Sequence, residues 1–220
     1  ETFSYIGNDA NPPDMMLKNG DTIEVKKIQS KDAALALNSS YPKKILLSSN
    51  HMISQACRDA EDWSQKDILY IVGVVAGKIL KHLCMIYGTD YCASEECYLN
   101  VYRRIKAGVE NIEGIEFSPT RELGRINRID PLGITYLRMR GMWHIENPWK
   151  VFSYIYQRNL NANFNFMCII AKDKWQTFAN RENLLSLQQK YPKLKISDVG
   201  IRNPDNPAKL NDAKLISYEM

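Results

Sequence analysis

Two consecutive runs, "DILYIVGVVAG" and "KILKHLCMIYG" at residues 67–88, limit what this chain can become more than any other feature. Both are apolar and carry β-branched residues, and they read as central strands buried on both faces. A chain holding such strands must build a sheet and cover it. Strand and helix patterns then mix along the sequence without a regular βαβ alternation. The expected architecture is therefore α/β, a central mixed β-sheet flanked by helices. At 220 residues the chain is long enough to bury a substantial core as a single domain, 1–220.

Around that centre, "TFSYI" reads as a short strand followed by the loop "GNDANPP". "SEECYLNVYRRIKAGVENI" reads as a helix with Ser94 as N-cap and Glu95 and Glu96 at the positive end of its dipole. Tyr98, Val101, Tyr102, Ile105, Val109 and Ile112 fall at helical spacing and form its expected core face. "ITYLRMRGMWHI" is expected as a strand, and Asn147-Pro148 opens a helix through "WKVFSYIY". "NFNFMCIIA" is a further strand, "ENLLSLQQKY" a helix and "KLKISDVGI" extended; the tail "RNPDNPAKLNDAK" is turn-rich and expected on the surface.

The segment that carries chemistry is "NPPDMMLKNGDTIEVKKI", from Asn11 to Ile28. Asn19-Gly20 is a strong hairpin signal. Side chains alternate along a strand, so Glu24 and Lys26 share one face while Ile23 and Val25 point to the core. Pro12 and Pro13 keep the chain extended as it enters the partner strand, which can set Asp14 beside Glu24. Two carboxylates and a lysine on one face suit phosphodiester hydrolysis. Magnesium takes one or two carboxylates plus waters and phosphate oxygens, and a lysine can orient the attacking water and balance charge on phosphorus. A hairpin with Glu24 and Lys26 merely solvated is the alternative that spacing leaves open.

Composition narrows the classes. A formal charge of +4 permits an anionic partner without requiring one. The five cysteines contain no CxxC pair, which argues against a zinc site and a disulfide framework and for reduced thiols in a cytoplasmic protein. No run of 18 apolar residues and no signal-peptide pattern occurs, so neither membrane insertion nor secretion is expected. His51, His82 and His144 are too scattered for metal ligation, and the four tryptophans are expected in the core.

The Asp14, Glu24 and Lys26 set resembles the PD-(D/E)xK nuclease signature. Its surroundings resemble the NgoPII-type family of type II restriction endonucleases through "NPPDMML", "GDTIEVKKI", "ALALNSSYPK", "ACRDAEDW", "MIYGTDYCAS", "ELGRINRIDPLGITY" and "RMRGMWHIENP". That resemblance covers the chain to about Pro148 and implies a restriction-endonuclease-like fold. It also implies a Mg2+-dependent endonuclease cutting double-stranded DNA at a short palindrome, GGCC for the namesake. By position, Asp14 and Glu24 become the metal carboxylates and Lys26 the catalytic lysine. The family further implies a homodimer, a companion DNA methyltransferase, and a helical segment ahead of the first strand that this sequence does not include.

A guanine-rich target gives the arginines meaning, because the arginine fork can bond guanine O6 and N7. Arg121, Arg125, Arg128, Arg138 and Arg140 are the candidate DNA contacts, one or two reading guanine and the others holding phosphate; pairing with Glu122 and Asp130 is the competing reading. Lys27, Lys31, Lys43 and Lys44 surround the candidate metal site and could hold phosphates, solvated surface lysines being the competing reading, and Asn38, Ser39 and Ser40 could bond phosphate or base edges or simply make a turn. Two other functions stay open at this level: a repair or junction nuclease of the same superfamily, and a DNA-binding module without catalysis.

Overall fold

The two apolar runs pair with each other. In the computed structural model, which describes residues 2–8, 11–37 and 40–220, they form an antiparallel hairpin. In chain order the elements are β1 (Phe3–Asn8), β2 (Asn11–Leu17), β3 (Thr22–Ile28), β4 (Leu35–Ala36), β5 (Ile45–Leu47), α1 (Gln55–Arg58), β6 (Gln65–Ala76), β7 (Ile79–Tyr87), α2 (Gly88–Tyr91) and α3 (Glu95–Glu110). There follow β8 (Glu116–Phe117), β9 (Gly124–Asn127), β10 (Leu137–Met139), β11 (His144–Ile145), α4 (Pro148–Val151), β12 (Asn165–Ala171), α5 (Lys172–Thr177), α6 (Arg181–Lys190), β13 (Leu194–Asn203) and β14 (Asn206–Glu219).

The chain divides into two compact units. The first comprises Glu1–Leu35, Lys43–Cys92 and Glu146–Met220; the second comprises Ala36–Pro42 and Ala93–Ile145. The first holds a mixed sheet in the order β1-β2-β3-β6-β7-β12-β14-β13, with β5 also on β6. β3 with β6 and β7 with β12 are parallel, and the remaining pairs are antiparallel. This is the mixed sheet expected from the sequence.

Burial along β6 alternates instead of covering both faces equally. Ile68, Tyr70, Val72 and Val74 are buried, whereas Leu69 and Ile71 are half-buried. One face packs Tyr87, Cys168, Ile170, Trp175 and Ile216 with Leu69, Met85, Phe178 and Leu184, so α5 and α6 cover it. The opposite face carries Tyr70, Tyr91 and Phe152 in edge-on and tilted aromatic contact. Each such fully buried large apolar side chain contributes about 1.5–3 kcal/mol relative to exposure. Gly88, at the start of α2, lies so close to the strand-leading segment that a Cβ there would come 2.4 Å from the Lys43 carbonyl oxygen. Only glycine permits that approach.

Several local expectations need correction. "NPP" belongs to strand β2 and "GN" to β1, so most of the expected loop is ladder; residues 9 and 10 of it lie outside the described residues. The tail is a long hairpin, β13 with β14, because Asn203 Oδ1 accepts the Asp205 and Asn206 N–H groups and makes the turn. The α4 helix is capped by Asn147, whose side chain accepts the Trp149 N–H as its sequence position indicates, but it ends after one turn. "ITYLRMRGMWHI" supplies only two short strands, β10 and β11.

In the second unit α3 begins after Ser94 as expected. Its inner residues are Tyr98, Leu99, Tyr102, Lys106 and Val109, while Val101, Ile105 and Ile112 of the expected core face are exposed. Tyr98 stacks on Tyr41 at 5.8 Å and both meet Trp143 edge-on, a small aromatic core. Lys106 Nζ donates to the Thr120 carbonyl and Tyr102 Oη to that of Arg121, which ties α3 to the chain leading into β9. A three-stranded antiparallel sheet, β10-β9-β8, completes this unit.

Candidate active site and nucleic-acid contacts

The β2–β3 hairpin turns where the sequence indicated. Asn19 adopts the left-handed conformation at φ 55°, and Gly20 N–H donates to the Leu17 carbonyl at 3.0 Å. The ladder above it pairs Met16 with Thr22 and Met15 with Ile23. Asp14 and Glu24 are the next residues of the two strands beyond that ladder. There the Asp14 carboxylate takes the place of a backbone acceptor: Val25 N–H donates to Asp14 Oδ2 at 2.6 Å.

Lys26 Nζ donates to Glu24 Oε1 at 2.6 Å, and both side chains are about four-fifths buried, 19% exposed for Glu24 and 23% for Lys26. Burial raises the Glu24 pKa above the ordinary carboxylate range; the Lys26 ammonium opposes that rise, the nearby Asp14 carboxylate adds to it and Lys43 opposes it. The two carboxylates are thus close enough to sense each other. Ile23 on the reverse face is buried as expected, but Val25 is 41% exposed, so the core does not reach the end of β3.

Two neighbours of this site were not legible in the sequence. β3 runs parallel to β6 with Glu24 opposite Tyr70, so both side chains lie on one face. Tyr70 Oη accepts the Lys43 N–H at 3.0 Å and donates to the Lys43 carbonyl at 3.2 Å. Lys43, expected among the phosphate contacts, is buried at 8% exposure, and its charge acts on Glu24 from within the protein. Behind the start of β3, Lys174 Nζ bridges Asp21 Oδ1 (2.8 Å) and Asp67 Oδ2 (2.6 Å), while Tyr87 Oη donates to Asp21 Oδ2 at 2.8 Å. This network ties β3 and β6 to α5 at the end that carries the hairpin.

Among the described residues no group of three or more His, Cys, Asp or Glu side chains gathers as a metal site. Asp14 and Glu24 still fit a magnesium ion, which needs only one or two carboxylates. The bonds just described use one oxygen of each carboxylate, and a partly desolvated anion such as Glu24 gains most from a cation. His82 is buried against Trp149 at 5.7 Å, in keeping with a core role. Cys57, Cys84, Cys92 and Cys168 are buried free thiols and Cys97 is exposed.

The remaining candidates distribute as follows. Lys27 and Lys31 are exposed, and Lys44 forms an ion pair with Asp205. Ser40 Oγ donates to the Tyr41 carbonyl, whereas Asn38 and Ser39 lie outside the described residues. In the second unit Arg138 and Arg140 both bond Glu122, and Arg128 bonds Glu116. Among the described residues Asp130 pairs with no arginine; it accepts the Leu132 and Thr135 N–H groups and shapes the loop after β9. Arg125 lies over the Tyr136 ring at 5.2 Å, and Arg121 is exposed.

Comparison with known proteins bears on this geometry. The family model for the NgoPII restriction endonuclease matches residues 1–202. The type II restriction enzyme NgoPII of Neisseria gonorrhoeae is 62% identical over 221 aligned positions, which cover 100% of this chain and 79% of that protein. No solved structure matches.

Proposed function

Because this chain belongs to the NgoPII restriction endonuclease family, whose members hydrolyse DNA, we propose that it cuts both strands of double-stranded GGCC with Mg2+ held by Asp14 and Glu24. The observation that carries this reading is the largely buried Glu24–Lys26 pair with Asp14 fixed on the Val25 N–H. When bound, the metal polarises the phosphoryl group and acidifies water. Lys26 orients the attacking water and offsets the negative charge that builds on phosphorus. Glu24 sets the Lys26 ammonium in place through their 2.6 Å bond. The water oxygen forms the new bond to phosphorus as the bond to the 3′ oxygen breaks. The attacking water gives up a proton to solvent, the 3′ oxygen takes one from a solvent water, and the ends are 5′-phosphate and 3′-hydroxyl.

A palindromic target has twofold symmetry, and a homodimer would present one active site to each strand. We read the protein as such a dimer in the cytoplasm, with host DNA protected by a companion methyltransferase. Among the described residues no helix is long and apolar enough to cross a membrane. Mass in solution with and without target duplex checks the dimer; a monomer in both states rejects it.

Digestion of unmethylated plasmid with Mg2+ or EDTA, followed by sequencing of the ends, tests the activity. Discrete cuts at GGCC with Mg2+ and none with EDTA are expected. Cuts that follow DNA structure instead of sequence would make the protein a repair or junction nuclease. Specific binding without cleavage would make it a recognition protein.

A further inference from the structure

The three-stranded sheet of the second unit sorts its arginines by chemistry. Arg138 pairs in register with Arg125, and Glu116 with Asn127. Residues 125 and 127 are two apart on β9, so Arg125, Arg138 and Glu116 share one face, while Gly124 and Ile126 are buried on the other. Arg138 on β10 and Arg128, the residue that follows β9, are gripped along the same edge of the guanidinium. Arg138 donates from Nε to Glu122 Oε2 at 3.0 Å and from Nη2 to Oε1 at 2.7 Å. Arg128 donates from Nε to Glu116 Oε2 at 2.6 Å and from Nη2 to Oε1 at 2.8 Å.

That grip has a consequence. A guanidinium carries five N–H donors, and the Nε–Nη2 edge uses two of them. The Nη1–Nη2 end keeps its paired donors, the fork that matches guanine O6 and N7. The carboxylate fixes the plane of that fork. Glu116 also offsets the charge of Arg128, and Glu122 part of that of Arg138, which weakens attraction to a phosphate brought alongside while leaving both fork donors free for the guanine edge. Arg125, stacked on Tyr136, and exposed Arg121 keep their positive charge and suit phosphate. Arg140 shares Glu122 Oε1 through Nε alone, at 2.5 Å, which leaves that cluster with net positive charge.

We propose that Arg128 and Arg138 read the two guanines of each GGCC half-site, and that Glu116 and Glu122 are the positioning residues that hold their forks toward the bases. This assignment rests on the GGCC reading above and names the side chains that would carry out the recognition.

The test replaces each guanine in turn with 7-deazaguanine, which lacks the N7 acceptor, and measures kcat/KM with Mg2+. The unaltered protein is expected to lose about 3- to 10-fold at each position, the loss of one of the two hydrogen bonds in a bidentate contact, since O6 remains. In Arg138→Ala and Arg128→Ala that additional loss should vanish, each variant at a different guanine. Glu122→Gln should narrow the preference for GGCC over one-mismatch sites while leaving the salt dependence of binding unchanged. Arg121→Ala and Arg125→Ala should each lower the salt slope by about 1. The chemistry is altered on the DNA, so the outcome does not hinge on one variant folding. The assignment fails if both arginine variants keep the full 7-deazaguanine penalty at both positions, or if Arg125→Ala abolishes it instead. Failure of the unaltered protein to cut GGCC at all rejects the reading beneath it, a separate and visible result.

Discussion

Glu24→Gln is expected to slow DNA cleavage by at least about 10³-fold while the protein stays folded and still binds target DNA. Glutamine keeps the size and the oxygen that Lys26 bonds at 2.6 Å, but it removes the anion that a cation would need. Lys26→Met should cost about as much by a different route. It removes the positive charge at the attacked phosphate and leaves Glu24, already raised in pKa by burial, without its strongest opposing partner. Single-turnover cleavage checks both, beside a binding titration on the same duplex. If either variant cuts within tenfold of the unaltered protein, the Asp14–Glu24–Lys26 site is not the seat of the chemistry. If binding is lost together with cleavage, the substitution has disturbed the fold and the assignment would need Asp14→Asn as the deciding variant.

Asp90→Asn should stabilise the protein at neutral pH. Asp90 is 3% exposed, and its carboxyl is pushed from 3.8 to about 6, first by desolvation, with the Ala171 N–H opposing the rise and Asp173 and Asp67 adding to it. The folded carboxyl keeps its proton up to about pH 6, while the unfolded one releases it near 3.8. Between those values the native state binds the extra proton, so stability falls as pH rises and stays lower above 6. Asparagine cannot ionise, and its amide oxygen can still accept the Ala171 N–H that Asp90 Oδ2 accepts at 3.1 Å. Denaturant melts should show a gain of roughly 2–3 kcal/mol at pH 7.5 that vanishes near pH 4. Equal stability of the two proteins across that range would mean that Asp90 ionises freely in the folded state.

How much of the site could be read beforehand depends on the range of the interactions that form it. Asp14, Glu24 and Lys26 lie within one hairpin, and Asn19-Gly20 sets its turn, so alternation along two adjacent strands was enough to bring them together. Val25 broke the same rule because exposure at a strand's end depends on what covers the sheet there, which no local pattern records. The α3 face failed for a related reason. Val101 and Ile105 have helical spacing equal to that of Tyr98 and Tyr102, but Tyr102 is the one that reaches the Arg121 carbonyl. Arg128 and Glu116 are twelve residues apart and Arg138 and Glu122 sixteen, so only the pairing of β8, β9 and β10 decided which arginine each carboxylate holds.

By itself, then, the sequence determined the two apolar strands at the sheet's centre, the mixed α/β class, the turn at Asn19-Gly20 and the placement of Asp14, Glu24 and Lys26 within one hairpin. These depend on side-chain period and turn conformation, which act over a few residues. The tertiary structure alone decided that β3 runs parallel to β6 and sets Tyr70 beside Glu24, that Lys43 is buried, and that the tail becomes the β13–β14 hairpin. Those outcomes come from strand pairing across long stretches of chain. There, total burial and satisfied backbone hydrogen bonds choose among arrangements that local preferences leave nearly equal.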